Sequence, residues 1–104
     1  MPQFSLYRNR NASRSRFPLL LDIQSDLLEP LATRVVVPLT PAESSRPRSM
    51  RTLTPILKFE GKHYLMLTPQ LAGIPARELG PVAGDLVSDR DTIVAAVDFL
   101  LAGI

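Results

Sequence analysis

The sequence has no cysteine and a single histidine, His63, among its 104 residues. The absence of cysteine excludes a disulfide framework, a thiol nucleophile, a thiolate zinc site and an iron–sulfur cluster. One histidine leaves few ways to assemble a transition-metal site. Redox and zinc chemistry are therefore excluded, and we expect neither a metal nor a cofactor.

A secretory signal and a long apolar run are also missing. Residues 1–17 do not follow the charged-then-apolar order of a signal peptide, and no run approaches the ~20 apolar residues that span a bilayer. We therefore expect a cytoplasmic protein with no membrane partner. The length predicts one domain over residues 1–104, and a domain this small gains stability from association, which favours a homodimer.

Catalytic motifs are equally scarce. The chain has no glycine-rich phosphate loop, no nucleophile elbow and no carboxylate pair at a helical spacing; Asp22 and Asp26 are the nearest candidates. No group near His63 in the sequence would orient it as a base, so we interpret it as structural. Ser25, between Gln24 and Asp26, is typical of a turn. The sequence predicts a protein that acts by binding and not as an enzyme.

Short apolar runs separated by ten prolines predict a mainly β fold. Residues 4–7 alternate with period two, residues 19–23 form a continuous apolar run, and residues 34–39 are rich in β-branched side chains. Each pattern predicts a strand. The polar residues 40–49 have almost nothing to bury, and we expect a mobile surface loop there.

The clearest local pattern is a hairpin of residues 53–59 and 62–67 joined by Glu60 and Gly61, since the glycine supplies the positive φ of a tight turn. In the second strand of this hairpin, Tyr64 and Met66 lie on one face and Leu65 and Leu67 on the other. Both faces of that strand are therefore partly apolar, which again favours an interface. After it we expect a turn over residues 71–75 and a short edge strand over residues 76–79.

One helix is predicted at the end of the chain. Ser88 is its expected N-cap, with Asp91 three residues on. The predicted packing face comprises Ile93, Val97, Leu100, Leu101 and Ile104. A second, small and polar face, open to solvent or a partner, comprises Asp91, Ala95, Asp98 and Ala102.

Positive charge is concentrated in the first half of the sequence. Residues 1–55 hold eight arginines against four acidic residues, a net +4, whereas residues 56–104 hold four basic and six acidic residues, a net −2. Such clusters favour an acidic partner, either nucleic acid or an acidic peptide, and solvated loops remain the alternative. No aromatic residues are interleaved with the arginines, so nucleic acid is the weaker option.

Two features point outward. Leu27 and Leu28 directly follow a predicted strand and lie between Asp26 and Glu29, where either the core or an interface explains them. Gly103 and Ile104 follow the helix and are well placed to contact another protein.

These features resemble one family. The run L-D-I-Q-S-D-L-L at residues 21–28 is similar to the D-[VI]-Q-S-D-apolar-apolar segment of the CcdB toxins, which belong to plasmid-maintenance toxin–antitoxin pairs. The family's order and spacing also match Phe4, R-V-V-V-P-L at residues 34–39, Pro55, Ile74-Pro75 and Gly103-Ile104. The resemblance spans essentially the whole chain.

The resemblance implies an SH3-like antiparallel β-barrel with a C-terminal α-helix and a symmetric homodimer. It implies a toxin that binds the A subunit of DNA gyrase, traps the gyrase–DNA cleavage complex and performs no chemistry itself. A small CcdA-like antitoxin would neutralise it, and the toxin–antitoxin complex would bind operator DNA. The gyrase contacts implied for this sequence are Phe4, Ser25, Leu27, Leu28, Asp98, Ala102, Gly103 and Ile104.

Two of those positions depart from the family pattern, which has asparagine at Asp98 and tryptophan at Ala102. A tryptophan stacked on arginine contributes about 2 kcal/mol or more at an interface, so this surface must rely on aliphatic burial.

For the antitoxin we expect charge attraction to an acidic peptide by Arg8, Arg10, Arg14, Arg16, Arg46 and Arg48. Two alternatives stay open: a MazF-like endoribonuclease toxin of related fold, and a divergent homologue that only binds antitoxin.

Overall fold

The computed structural model describes residues 2–42 and 51–103 of the chain. Within these ranges the chain forms seven strands and one α-helix, α1. The strands are β1 (Ser5–Asn9), β2 (Leu19–Asp22), β3 (Thr33–Pro41), β4 (Ile56–Phe59), β5 (Lys62–Met66), β6 (Ala72–Pro75) and β7 (Leu79–Asp85), and α1 is Arg90–Ala102. The predicted mainly β fold with a C-terminal helix is confirmed.

All strand pairs are antiparallel, in the order β4-β5-β3-β2-β1-β7. The nine-residue strand β3 is central because its two halves pair with different strands. Residues from Thr33 to Val36 pair with β6, and residues from Leu39 to Pro41 pair with β5. The sheet curls into a half-barrel around the main core.

The core lies inside this curl. The sheet contributes Leu6, Leu19, Leu21, Val37, Leu39 and Met66, and α1 packs Ile93 and Ala96 against them. A second, smaller cluster comprises Tyr7, Leu20, Val36 and Leu79, with Ile74 packed on it. Successive residues of β2 thus enter different clusters, which explains why its apolar run is continuous.

The predicted hairpin turn is confirmed. Phe59 pairs with Lys62, so the loop has two residues, and Glu60 and Gly61 have φ values of 51° and 80°. Two positive φ angles match the right-handed twist of the flanking strands. Tyr64 and Met66 are both buried in the core, so neither supplies apolar surface to an interface. Ile56 is the exposed apolar residue of this hairpin.

Helix α1 begins at Arg90, within two residues of Ser88 as predicted. Ser88 itself lies in a preceding 3₁₀ turn, Val87–Asp89, so its assignment as N-cap was wrong. The assignment of Leu101 to the packing face was also wrong, because Leu101 is 73% exposed and Ala96 packs instead. The helix ends at Gly103, whose φ of 74° is the left-handed conformation favoured by glycine after a helix.

The segment between the hairpin and the helix differs from the prediction. Residues 72–75, expected to form a turn, are strand β6, and residues 76–78, expected as an edge strand, form a 3₁₀ turn. Strand β7 then runs through Gly80 and Pro81, which an edge position tolerates. In the predicted loop 40–49, Thr40 and Pro41 belong to β3, and residues 43–49 lie outside the described residues.

Candidate functional site

The turn between β2 and β3 displays two leucines, and we call it the leucine turn. Leu27 is 91% exposed and Leu28 is 48% exposed in the 3₁₀ turn Asp26–Leu28. Ser25 caps this turn, since its Oγ accepts a hydrogen bond from the Leu27 N–H at 3.2 Å and its carbonyl accepts one from the Leu28 N–H at 2.9 Å. Both leucines therefore point away from the core on an ordered backbone, which favours an interface over burial.

A buried ion pair lies behind this turn. The Nε and Nη2 atoms of Arg34 both lie 2.9 Å from Oδ2 of Asp22, and both side chains are fully buried. The other oxygen, Oδ1, accepts a hydrogen bond from the Gln24 N–H at 2.9 Å. Burial raises the pKa of the Asp22 carboxyl above its usual value, while the hydrogen bonds from Gln24 and Arg34 act in the opposite direction. With no exposure to solvent, Asp22 is a structural residue.

Two glutamines tie the turn to its surroundings. The amide of Gln24 donates to the Leu28 carbonyl at 3.0 Å and accepts from the Val35 N–H at 3.0 Å. Gln3 donates its backbone N–H to Oδ1 of Asp26 at 2.7 Å and its side-chain amide to the Ile23 carbonyl at 3.0 Å. The turn is thus held from both sides.

A groove of about 170 Å³ lies next to the turn, between the start of the chain and α1. Its lining includes Gln3, Phe4, Ile23, Val94, Val97 and Asp98. Gln3 lines this groove and also bonds to Asp26, so the leucine turn and the Asp98 face of the helix border one continuous region.

The residues implied as gyrase contacts have unequal positions in this region. Leu27, Leu28, Asp98, Ala102 and Gly103 are exposed, and Ser25 is half-buried. The side chain of Phe4 is buried, so it lines the groove and does not project from the surface. Its backbone has a positive φ of 70°. Ile104 lies outside the described residues.

The arginine cluster forms a separate surface. Arg8, Arg10, Arg14 and Arg16 are all exposed, and the 3₁₀ turn Ala12–Ser15 lies among them. Its backbone is ordered by the buried Asn9, whose amide donates to Oγ of Ser13 at 3.1 Å and to the Phe17 carbonyl at 2.8 Å. We call the four arginines the basic surface. Arg46 and Arg48 lie outside the described residues.

A second pocket, of about 140 Å³, adjoins the basic surface. Leu20, Val36, Pro38 and Ile74 give it an apolar floor, and Asn11 and Ser13 of the arginine-rich segment form part of its wall. An apolar cavity beside exposed cations suits a partner that carries both negative charge and an apolar side chain.

The remaining polar residues form no metal site in the described part of the chain. Among residues 2–42 and 51–103, no group of three or more histidine, aspartate or glutamate side chains is arranged to hold a metal ion. His63 is exposed on β5. In those same ranges, no helix is long and apolar enough to cross a membrane.

Sequence reasoning missed the polar network behind the turn. It treated Asp22 as a candidate acid and gave Arg34 no role, although each is a charged residue within or beside an apolar strand. Opposite charges on two strands that are both predicted to be buried are a signal that the two side chains pair. Two further polar residues were missed in the same way. Gln24 follows β2 and donates to the Leu28 carbonyl, and Asn9 ends β1 and donates to the Phe17 carbonyl.

The described residues form a small half-barrel that displays an apolar turn and a basic surface. The family described as CcdB protein matches residues 3–103. The chain therefore belongs to the CcdB family, and it is a toxin of the toxin–antitoxin type with an antitoxin as its implied partner.

Proposed function

We propose that this toxin binds the A subunit of DNA gyrase and traps the gyrase–DNA cleavage complex, by binding alone and without a cofactor. The observation that carries the proposal is the ordered turn that displays Leu27 and Leu28. Exposed leucines on a fixed backbone contribute little to folding, whereas they bury apolar area when a partner covers them. We assign Asp98, Ala102 and Gly103, which are exposed at the end of α1, to the same contact surface, and Ser25 supports the turn.

We also propose that the toxin works as a cytoplasmic homodimer of one domain over residues 1–104. Phe99 and Leu101 are exposed near the end of α1, close in sequence to the proposed gyrase contacts. A two-fold dimer formed near this end of the helix would present the contact surface twice, which suits a two-fold symmetric target.

For neutralisation, we propose a small acidic CcdA-like antitoxin on the basic surface. Its carboxylates would approach Arg8, Arg10, Arg14 and Arg16, with Arg46 and Arg48 proposed as further contacts. An apolar side chain of the peptide fits the neighbouring pocket floored by Leu20 and Val36. Binding of operator DNA is assigned to the toxin–antitoxin complex and not to the toxin alone.

Gyrase-dependent DNA cleavage and RNA cleavage, measured side by side with purified protein, test this function. We expect gyrase-dependent cleavage complexes and intact RNA. Leu27→Ser should remove most of the activity, whereas the matched control Val82→Ser, an exposed apolar residue on β7, should retain it. RNA cleavage without gyrase would instead support the MazF-like endoribonuclease. Antitoxin binding with neither activity would support a homologue that only binds antitoxin.

A further inference from the structure

The turn that carries Leu27 and Leu28 makes few contacts of its own, yet its backbone is held in place. It is a three-residue 3₁₀ element, and both leucines extend into solvent. Backbone bonds inside such a short turn do not fix its position relative to the sheet. Two groups outside the turn hold it: the Gln3 N–H, which donates to Oδ1 of Asp26 at 2.7 Å, and a side chain that reaches the turn from the protein interior.

Gln24 is that side chain. It is 6% exposed, whereas Leu27, a little further along the chain, is open to solvent. One end of its amide accepts from the Val35 N–H of β3 and the other donates to the Leu28 carbonyl, both at 3.0 Å. The glutamine thus links the central strand of the sheet directly to the turn.

Gln24 is itself fixed by the buried ion pair. Its backbone N–H donates to Oδ1 of Asp22, while Oδ2 of the same carboxylate is held by Arg34. The hydrogen bonds form a continuous series from Arg34 through Asp22 and Gln24 to the Leu28 carbonyl. Every side chain in this series is buried, so water competes little with it.

We infer that Gln24 is a positioning residue, which holds the leucine turn in the conformation that binds the partner; this inference rests on the proposed gyrase binding. A turn that is ordered before binding loses less conformational entropy in the complex. Gln24 acts through Leu27 and Leu28 and makes no contact with the partner itself.

The test compares Gln24→Met with the matched control Gln70→Met, a glutamine exposed in another 3₁₀ turn. Methionine keeps the length of the side chain and removes both hydrogen bonds. We expect Gln24→Met to weaken binding to the purified A subunit of gyrase by about tenfold, mainly through faster dissociation, since two hydrogen bonds of ordinary strength are lost. The control should bind like the wild type.

Hydrogen exchange separates positioning from a general loss of stability. In Gln24→Met the amides of Val35, Leu28 and Glu29 should exchange at least tenfold faster, while core amides such as that of Leu21 should change much less. Gln24→Leu is a second variant in case the first folds poorly. It removes the same two hydrogen bonds without adding a charge, so the amides of Val35 and of the turn should again exchange faster.

The outcomes are distinguishable. If the wild type binds gyrase and Gln24→Met binds within twofold of it, the inference is wrong and the proposed function stands. If the wild type does not bind gyrase, the proposed function is wrong. The rates of amide hydrogen exchange at residues 26–29 in the wild type and in Gln24→Met then test whether Gln24 holds the turn. Equal exchange there in the wild type and Gln24→Met would overturn it, and uniformly faster exchange across the core would do so as well.

Discussion

The ring of Phe59 lies directly across Gly84. A Cβ atom placed on Gly84 would be 2.7 Å from the Cε1 and Cζ atoms of this ring, which is closer than packed carbon atoms approach. Phe59 belongs to β4 and Gly84 to β7, the strands at the two ends of the sheet order. The contact brings these ends together, and the missing side chain of Gly84 is what makes room for it.

Gly84→Ala should therefore destabilise the protein, because the added methyl group displaces the ring. We expect a loss of about 1–2 kcal/mol in the free energy of unfolding, which lowers the melting temperature by roughly 4–12 °C for a domain of this size. Gly73→Ala is the matched control, since a Cβ there meets nothing within 4 Å. Equal melting temperatures for the two variants would contradict this account of sheet closure.

Removal of one partner of the buried ion pair should cost more. Arg34→Met leaves the Asp22 carboxylate buried without its guanidinium, and we expect a loss of about 3–5 kcal/mol in urea unfolding. The double variant Asp22→Leu with Arg34→Met should recover much of this loss, because it leaves no buried charge. Asp91→Asn is the control. The Arg90–Asp91 pair is solvent-exposed, so this variant should lose less than about 1 kcal/mol, most of it from the charge in the first turn of α1.

Alkaline stability should depend on Tyr7. Burial, together with the negative charge of Asp22, raises the pKa of the Tyr7 phenol above its ordinary value of 10.0. The unfolded chain then releases this proton at a lower pH than the folded chain does. The stability that Tyr7 provides is therefore complete below pH 10 and is lost as the pH rises through the folded-state pKa.

Tyr7→Phe isolates this effect. Between pH 8 and pH 11, the free energy of unfolding measured in urea should fall more for the wild type than for the variant. Equal decreases in the two proteins would mean that Tyr7 ionises equally easily in the folded and unfolded states.

Ala102→Trp should strengthen gyrase inhibition. Ala102 is exposed on the last turn of α1, so a larger side chain enters solvent or the partner without overpacking the core. We expect at least a tenfold lower inhibitory concentration in the DNA-cleavage assay, because a stacked tryptophan contributes about 2 kcal/mol at an interface. Thr92→Trp, near the other end of the helix, controls for added surface aromatic area. If both variants inhibit like the wild type, this end of the helix is not a gyrase contact.

Antitoxin association should depend on salt. Charge reversal of Arg14 and Arg16 to glutamate should slow the association of an acidic peptide by about tenfold at low salt, because electrostatic attraction mainly raises the encounter rate. Lys58→Glu with Lys62→Glu on the hairpin is the matched control, and it should have a smaller effect. A wild-type rate that changes less than about twofold between low salt and ~0.5 M salt would rule out the electrostatic role.

Local patterns predicted the parts of the fold that rest on local contacts. The Glu60-Gly61 turn and helix α1 carry their signals within a few residues, and both are confirmed. Strand β6 carries none, because Ala-Gly-Ile-Pro has little strand propensity and becomes a strand only by pairing with distant β3. The position of Phe4 beneath the groove likewise depends on α1, at the other end of the sequence, which no local pattern encodes.

The order of the strands also governs when the fold can be completed as the chain is synthesised. Strand β1 is made early, yet one of its two neighbours is β7, with Ser5 opposite Asp85. The helix that closes the core follows β7. A nascent chain that stops before Leu79 therefore exposes one edge of β1 and lacks the residues of α1 that cover Leu6 and Leu21. Residues 79–102 must therefore be made before the sheet and the main core can be completed.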